Sequence, residues 1–117
     1  CGVRENIGGT YYTLVYGKVC SIAADPIEKK PLFHYLPKSS ALSIATAGCN
    51  VNCKFCQNWE ISQARPEQVQ NYDFPPRAVV ETAQKYRCPV IAYTYTEPVI
   101  FFEYMYDTSL EARKKGI

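Results

Sequence analysis

The chain has 117 residues, enough for one small domain with a modest core, and 13 Lys and Arg against 11 Asp and Glu leave a net charge of +2. No run of basic residues forms a patch, so the charge gives no ground for a nucleic-acid partner, and no apolar stretch is long enough to cross a bilayer. With no signal peptide before Cys1, the expectation is a cytoplasmic protein with neither a nucleic-acid nor a membrane partner.

The opening third alternates as strands do. Residues 11–16 and 19–24 are rich in β-formers, with Gly17-Lys18 as a tight turn between them. Asp25-Pro26 breaks the pattern, 32–36 resumes it and Pro37 ends it. This predicts a small antiparallel lead-in of two or three strands over 1–38. From 39 to 117 the rhythm changes. Residues 41–46 read as a buried strand followed directly by the cysteine-rich run 48–59. Pro75-Pro76 precede helix formers over 77–87, carrying apolar Ala78, Val79, Val80 and Ala83, and Cys88-Pro89 closes that helix. Residues 90–95 make a second buried strand. Glu97-Pro98 then opens a long helix with Ile100, Phe101, Tyr104, Met105 and Leu110 on roughly one face. Gly116-Ile117 reads as a helix stop with a third strand about to begin, so the sequence looks like the amino-terminal part of a longer chain.

Strand, loop, helix, strand, helix is the order of parallel βαβ units, in which chemistry gathers at the carboxyl ends of the strands. Both chemically loaded segments fall there: the cysteine run after the first strand and Thr96-Glu97-Pro98 after the second.

Cys49, Cys53 and Cys56 have the spacing C-x3-C-x2-C. Three thiolates on one loop can hold three corners of a cubane iron–sulfur cluster and leave the fourth iron open for a substrate or cofactor. A structural zinc site is the competing reading; it needs a fourth ligand, for which the sole His34 lies far upstream and Cys88 sits at a helix end. A disulfide framework fits poorly, because three of the six cysteines crowd one segment while Cys1, Cys20 and Cys88 stand apart. Phe55 is either a core plug or an aromatic wall beside a cofactor base. Glu97 is either an acid favouring the helix dipole or the recognition group for an amine near the cluster. His34 is expected to be a hydrogen-bonded structural residue, Cys20 a small buried strand residue, and Trp59 a candidate cover for the cysteine loop.

The run Cys49-x3-Cys53-x2-Cys56, with Phe55 before the last cysteine, resembles the cluster motif of the radical S-adenosylmethionine (radical SAM) enzymes. The wider text, 25–34 and Tyr93-Thr94-Tyr95-Thr96-Glu97-Pro98, is similar to a narrower group, the pyruvate formate-lyase activating enzyme-like proteins of the AmmeMemoRadiSam system. The resemblance implies the amino-terminal part of a partial (β/α)6 TIM-like barrel, with about two of its six βα units present. It also implies a [4Fe–4S] cluster on Cys49, Cys53 and Cys56, with S-adenosyl-L-methionine chelating the open iron through its amine and carboxylate. Reductive cleavage would then yield methionine and a 5′-deoxyadenosyl radical that abstracts hydrogen from a substrate. Phe55 and Glu97 become cofactor-binding candidates, and a low-potential donor of flavodoxin or ferredoxin type the implied partner. A protein substrate follows if the chain activates a glycyl-radical partner; electron transfer by a plain iron–sulfur protein is the alternative from another class. Many members carry Gly-Gly-Glu where this chain has Tyr95-Thr96-Glu97: the acid is kept and the glycines are not.

Overall fold

In the computed structural model, which describes residues 2–117, the lead-in is a series of short antiparallel pairings. Cys1, and with it any accessory metal site there, lies outside the described residues. Strand β1 (Arg4–Ile7) pairs with β2 (Thr10–Thr13) around Gly8-Gly9, whose φ values of 58° and 87° suit a two-residue hairpin turn. The two-residue β3 (Lys18–Val19) pairs antiparallel with β6 (Tyr72–Asp73), and β4 (Ser21–Pro26) pairs antiparallel with β5 (Ser40–Ala45).

The hairpin expected between 11–16 and 19–24 does not form. Gly17 does turn the chain, at φ 69°, but it delivers β3 to β6 rather than folding β4 onto β2. The physical reason is burial: β5 is buried from Ala41 onward and offers β4 a six-pair ladder, whereas Tyr11 and Tyr12 are exposed. Residues 32–36 form no strand either. Bracketed by Pro31 and Pro37, which lack ladder donors, this stretch is exposed throughout. His34, expected as a hydrogen-bonded structural residue, is therefore exposed on an irregular segment.

The later elements match the sequence pattern more closely. After β5 come the cysteine loop, the single-turn α1 (Trp59–Ser62), β6, α2 (Pro76–Lys85) and β7 (Val90–Tyr93). A 3-10 turn over Pro98–Phe101 then leads into α3 (Phe102–Arg113). Pro76 stands at the first position of α2, where its missing N–H costs nothing. Arg87, at φ 53°, ends the helix region, and Cys88 N donates to Ala83 O at 2.8 Å. Strand β7 lies parallel to β5, with Ala41 opposite Val90 and Ile44 opposite Tyr93, giving the order β4-β5-β7.

One core serves the described residues. Leu42 and Ile44 of β5 meet Val79 and Ala83 of α2, Ile100, Phe101 and Tyr104 beyond β7, and Val3, Val15 and Val19 of the lead-in. Segments 1–38 and 39–117 are thus packed together. The fold is mixed α/β; among the described residues the largest sheet has three strands and closes no barrel. The buried stripe of α3 runs Tyr104, Thr108, Ala112; Leu110 is 45% exposed, because six residues past Tyr104 carry it about 120° round the helix. No helix among the described residues is long and apolar enough to cross a membrane.

Phe101 is among the largest fully buried side chains and packs near Tyr93 with ring centroids 6.3 Å apart. Phe101→Ala is expected to lower stability by ~3–5 kcal/mol, read as the shift in urea unfolding midpoint at unchanged slope.

Candidate functional site

Because β5 and β7 are parallel and in register, they end at the same level, and residues 46–58 emerge beside 94–98. Three hydrogen bonds fix the two ends to each other. Thr94 N donates to Ile44 O, Thr96 Oγ1 to Thr46 O, and Asn58 Nδ2 to Tyr95 O, each at 3.1 Å. Thr46 and Thr96 are both buried, so the second bond also satisfies a carbonyl that water cannot reach.

Gly48, at φ 88°, turns the chain out of β5, and its N–H donates to Ile61 O at 2.8 Å. The cysteine loop therefore starts and finishes against α1. Gln63 Nε2 donates to Val51 O at 3.0 Å, and Cys56 N to Cys53 O at 3.2 Å, which folds the loop into a turn between the second and third cysteines. Cys49 and Cys56 are half-buried and Cys53 is exposed; all are free thiols. Cys49 Sγ accepts from Val51 N and Cys56 Sγ lies beside Ser62 Oγ, both at 3.4 Å. The three line one pocket of about 460 Å³ together with Asn58, Ser62 and residues 93–98, Glu97 included.

Two kinds of metal group make different demands on these thiols. A single zinc ion needs its sulfurs about 2.3 Å from one point. Among the described residues no three His, Cys, Asp or Glu are grouped so that they could hold a metal ion. A multi-iron cluster gives each thiolate its own iron and needs the sulfurs around one cavity rather than one centre. The three cysteines fit that demand in chemistry, as thiols lining one pocket, though they form no ready-made metal-holding group. Cys88 does not join them. It is buried in the core just before β7, at the opposite end of the strand from the cysteine loop.

The other candidates fall into place unevenly. Glu97 is half-buried on the pocket and caps the 3-10 turn, its Oε1 accepting from Val99 N at 3.4 Å; it begins a 3-10 turn before the α-helix starts. Phe55 is 88% exposed and lines no part of this pocket, so it plugs no core. Trp59 is 64% exposed at the start of α1. Cys20 lies between β3 and β4, where burial pushes its thiol up to about 11.

One group was missed in the sequence. Tyr95, on the pocket, sits in the left-handed region at φ 70°, which costs a bulky residue ~1–3 kcal/mol unless its surroundings hold it. Its hydroxyl donates to Asp25 Oδ2 at 2.7 Å. Lys30 Nζ donates to the same carboxylate oxygen at 2.9 Å, approaches Tyr95 Oη at 3.3 Å, and lies 4.5 Å from the ring centroid. Lys29 Nζ donates to Asp25 Oδ1 at 2.9 Å. The Tyr95 hydroxyl first, then Lys29 and Lys30, hold the Asp25 carboxyl well below the usual carboxylate range. The signal was present as an acid followed at four and five residues by two lysines after a strand. Its partner, seventy positions later, was not legible.

The description of the radical SAM superfamily matches residues 43–117, from mid-β5 through α3 and on to Ile117. An uncharacterized protein of Methanocaldococcus jannaschii is 53% identical over all 117 residues. The chain spans about a third (35%) of that relative's length. No solved structure matches.

Thr96→Val should cost ~1–2 kcal/mol by leaving the buried Thr46 carbonyl without its donor, measured by chemical denaturation. A pH series gives the second expectation. Asp25 has a depressed folded pKa, so its stabilisation is present above the unfolded value of about 3.9 and is lost as pH falls through the folded one. The stability difference between wild type and Asp25→Asn should be flat from neutral pH to about pH 5 and shrink only in stronger acid.

Proposed function

The chain belongs to the radical SAM superfamily, and from that premise we propose that it forms the cluster-binding part of a radical S-adenosylmethionine enzyme. One observation carries the reading: Cys49, Cys53, Cys56 and Glu97 line a single pocket at the carboxyl ends of two adjacent parallel strands. That is where βα-folds assemble reactive groups, because loops there can vary while the strands stay fixed.

In this reading Cys49, Cys53 and Cys56 hold three irons of a [4Fe–4S] cluster as thiolates. When bound, the cluster and S-adenosyl-L-methionine supply reductive cleavage to a 5′-deoxyadenosyl radical that takes hydrogen from a substrate. The protein's own residues bind and orient. Glu97 offers a carboxylate to the cofactor's amine from a backbone position fixed by Pro98 and by the Thr96–Thr46 bond. Ser62 Oγ, beside Cys56 Sγ, is placed to donate a hydrogen bond to that thiolate and so to tune the cluster's potential. Asn58 fastens the cysteine loop to the β7 end, which keeps the thiols and Glu97 at one spacing. Phe55, exposed on the loop, would reach a cofactor base as an aromatic wall by closing over the pocket.

The finer assignment is to the pyruvate formate-lyase activating enzyme-like proteins of the AmmeMemoRadiSam system, within a partial (β/α)6 barrel. The two stretches that carry this likeness, 25–34 and 93–98, meet in the fold through Asp25, Lys30 and Tyr95. A cytoplasmic setting, a flavodoxin- or ferredoxin-type electron donor and, for a glycyl-radical activating role, a protein substrate complete the proposal.

The deciding measurement is electron paramagnetic resonance of the anaerobically reconstituted, dithionite-reduced full-length protein. A reduced-cluster signal that shifts on adding S-adenosylmethionine is expected. A cluster signal indifferent to the cofactor would point to simple electron transfer, and stoichiometric zinc without a cluster would overturn the reading. Cys53→Ala should abolish deoxyadenosine formation. Glu97→Gln should weaken cofactor binding by about tenfold while leaving cluster iron unchanged, a loss of roughly 1.4 kcal/mol.

A further inference from the structure

We infer that Asp25 is a positioning residue for the cofactor-facing end of β7, acting through Tyr95. The inference rests on the proposed cofactor site and adds to it a determinant from the lead-in, far from the cysteine motif in sequence.

Tyr95 holds a left-handed backbone, φ 70°, that a tyrosine does not adopt unaided. The conformation has consequences on both sides. It turns the Tyr95 carbonyl to accept from Asn58 of the cysteine loop, and it hands the chain to Thr96, whose hydroxyl reaches Thr46 O. Glu97 follows directly. The spacing between the thiols and Glu97 therefore depends on residue 95 keeping this turn.

Asp25 is what keeps it. The side chain is largely buried on β4 and takes three donors: Tyr95 Oη at 2.7 Å, and Lys29 Nζ and Lys30 Nζ at 2.9 Å each. Lys30 lies against the Tyr95 ring as well as the carboxylate, so the ring is fixed at its face and at its tip. Charge-assisted bonds of this kind hold geometry more firmly than neutral ones. The β4–β5–β7 sheet gives the anchor a rigid base.

The test exploits glycine, which adopts positive φ without help. S-adenosylmethionine affinity is titrated by the cofactor-induced change in the reduced-cluster signal, with iron content measured alongside, on the full-length protein. Tyr95→Phe, which removes only the hydroxyl, should weaken binding by about tenfold at unchanged iron. Tyr95→Gly, which removes the whole side chain but adopts the turn unaided, should bind more tightly than Tyr95→Phe. Asp25→Ala should resemble Tyr95→Phe, and adding Tyr95→Gly to it should restore binding. Hydrogen exchange at residues 94–97 without cofactor should rise in Tyr95→Phe. If Tyr95→Gly binds more weakly than Tyr95→Phe, the ring touches the cofactor directly and the positioning role is wrong. If glycine fails to rescue Asp25→Ala, Asp25 acts elsewhere and the inference falls while the cofactor site stands. If the wild-type signal ignores the cofactor, the site and the inference fall together.

Discussion

The structure depends on one strand having neighbours on both sides. Strand β5 is buried from Ala41 to Ala45, and a buried strand must satisfy every backbone N–H and C=O through ladders. It does so with β4 antiparallel on one edge and β7 parallel on the other. The first pairing ties the lead-in to the rest of the chain. The second brings two loops, fifty residues apart by the Thr96–Thr46 bond, to the same sheet edge. If β5 lost β7, the cysteine loop and Glu97 would have no common frame.

From that frame the site is built by small polar contacts. Thr46, Asn58, Ser62 and Thr96 do not carry the proposed chemistry, yet Ser62 meets the Cys56 thiol and the other three tie together the backbones that lead to the thiols and to Glu97. This division suits a metal group: thiolates must surround a cavity without collapsing onto one another, so the loop needs anchors at its ends more than rigidity along its length. Gly48 and Asn58 supply those anchors.

Tyr95 shows how one backbone demand can be met by different chemistry. The resemblance places glycines before the acid in many family members, and this chain has none there. Tyr95 makes a left-handed turn there, its ring and hydroxyl held by Asp25 and Lys30. A tertiary clamp thus accompanies a backbone that only glycine adopts freely, and it ties the pocket to a segment that would otherwise look like an appendage.

The sequence by itself determined the strands near 41–46 and 90–95, the first buried as expected and the second only half-buried, the helices after each loop, and the cysteine spacing. These rest on local rules: β-branched and small apolar runs, a proline at the first helical position, a C-x3-C-x2-C count. Tertiary structure alone decided which strands pair. The Tyr-rich run 11–16 looked as good a partner for 19–24 as any, and only the presence of β5 drew β4 away. It decided too that 32–36, strand-like in alternation, stays out of every sheet, since two prolines deprive it of donors and no edge lies beside it. Likewise only the fold joined Asp25 to Tyr95 and set Cys88 at the far end of β7 from the other cysteines. Local propensity acts over a few residues, whereas pairing, burial and ion pairing act across space, and a single sequence records the first directly and the second only in its result.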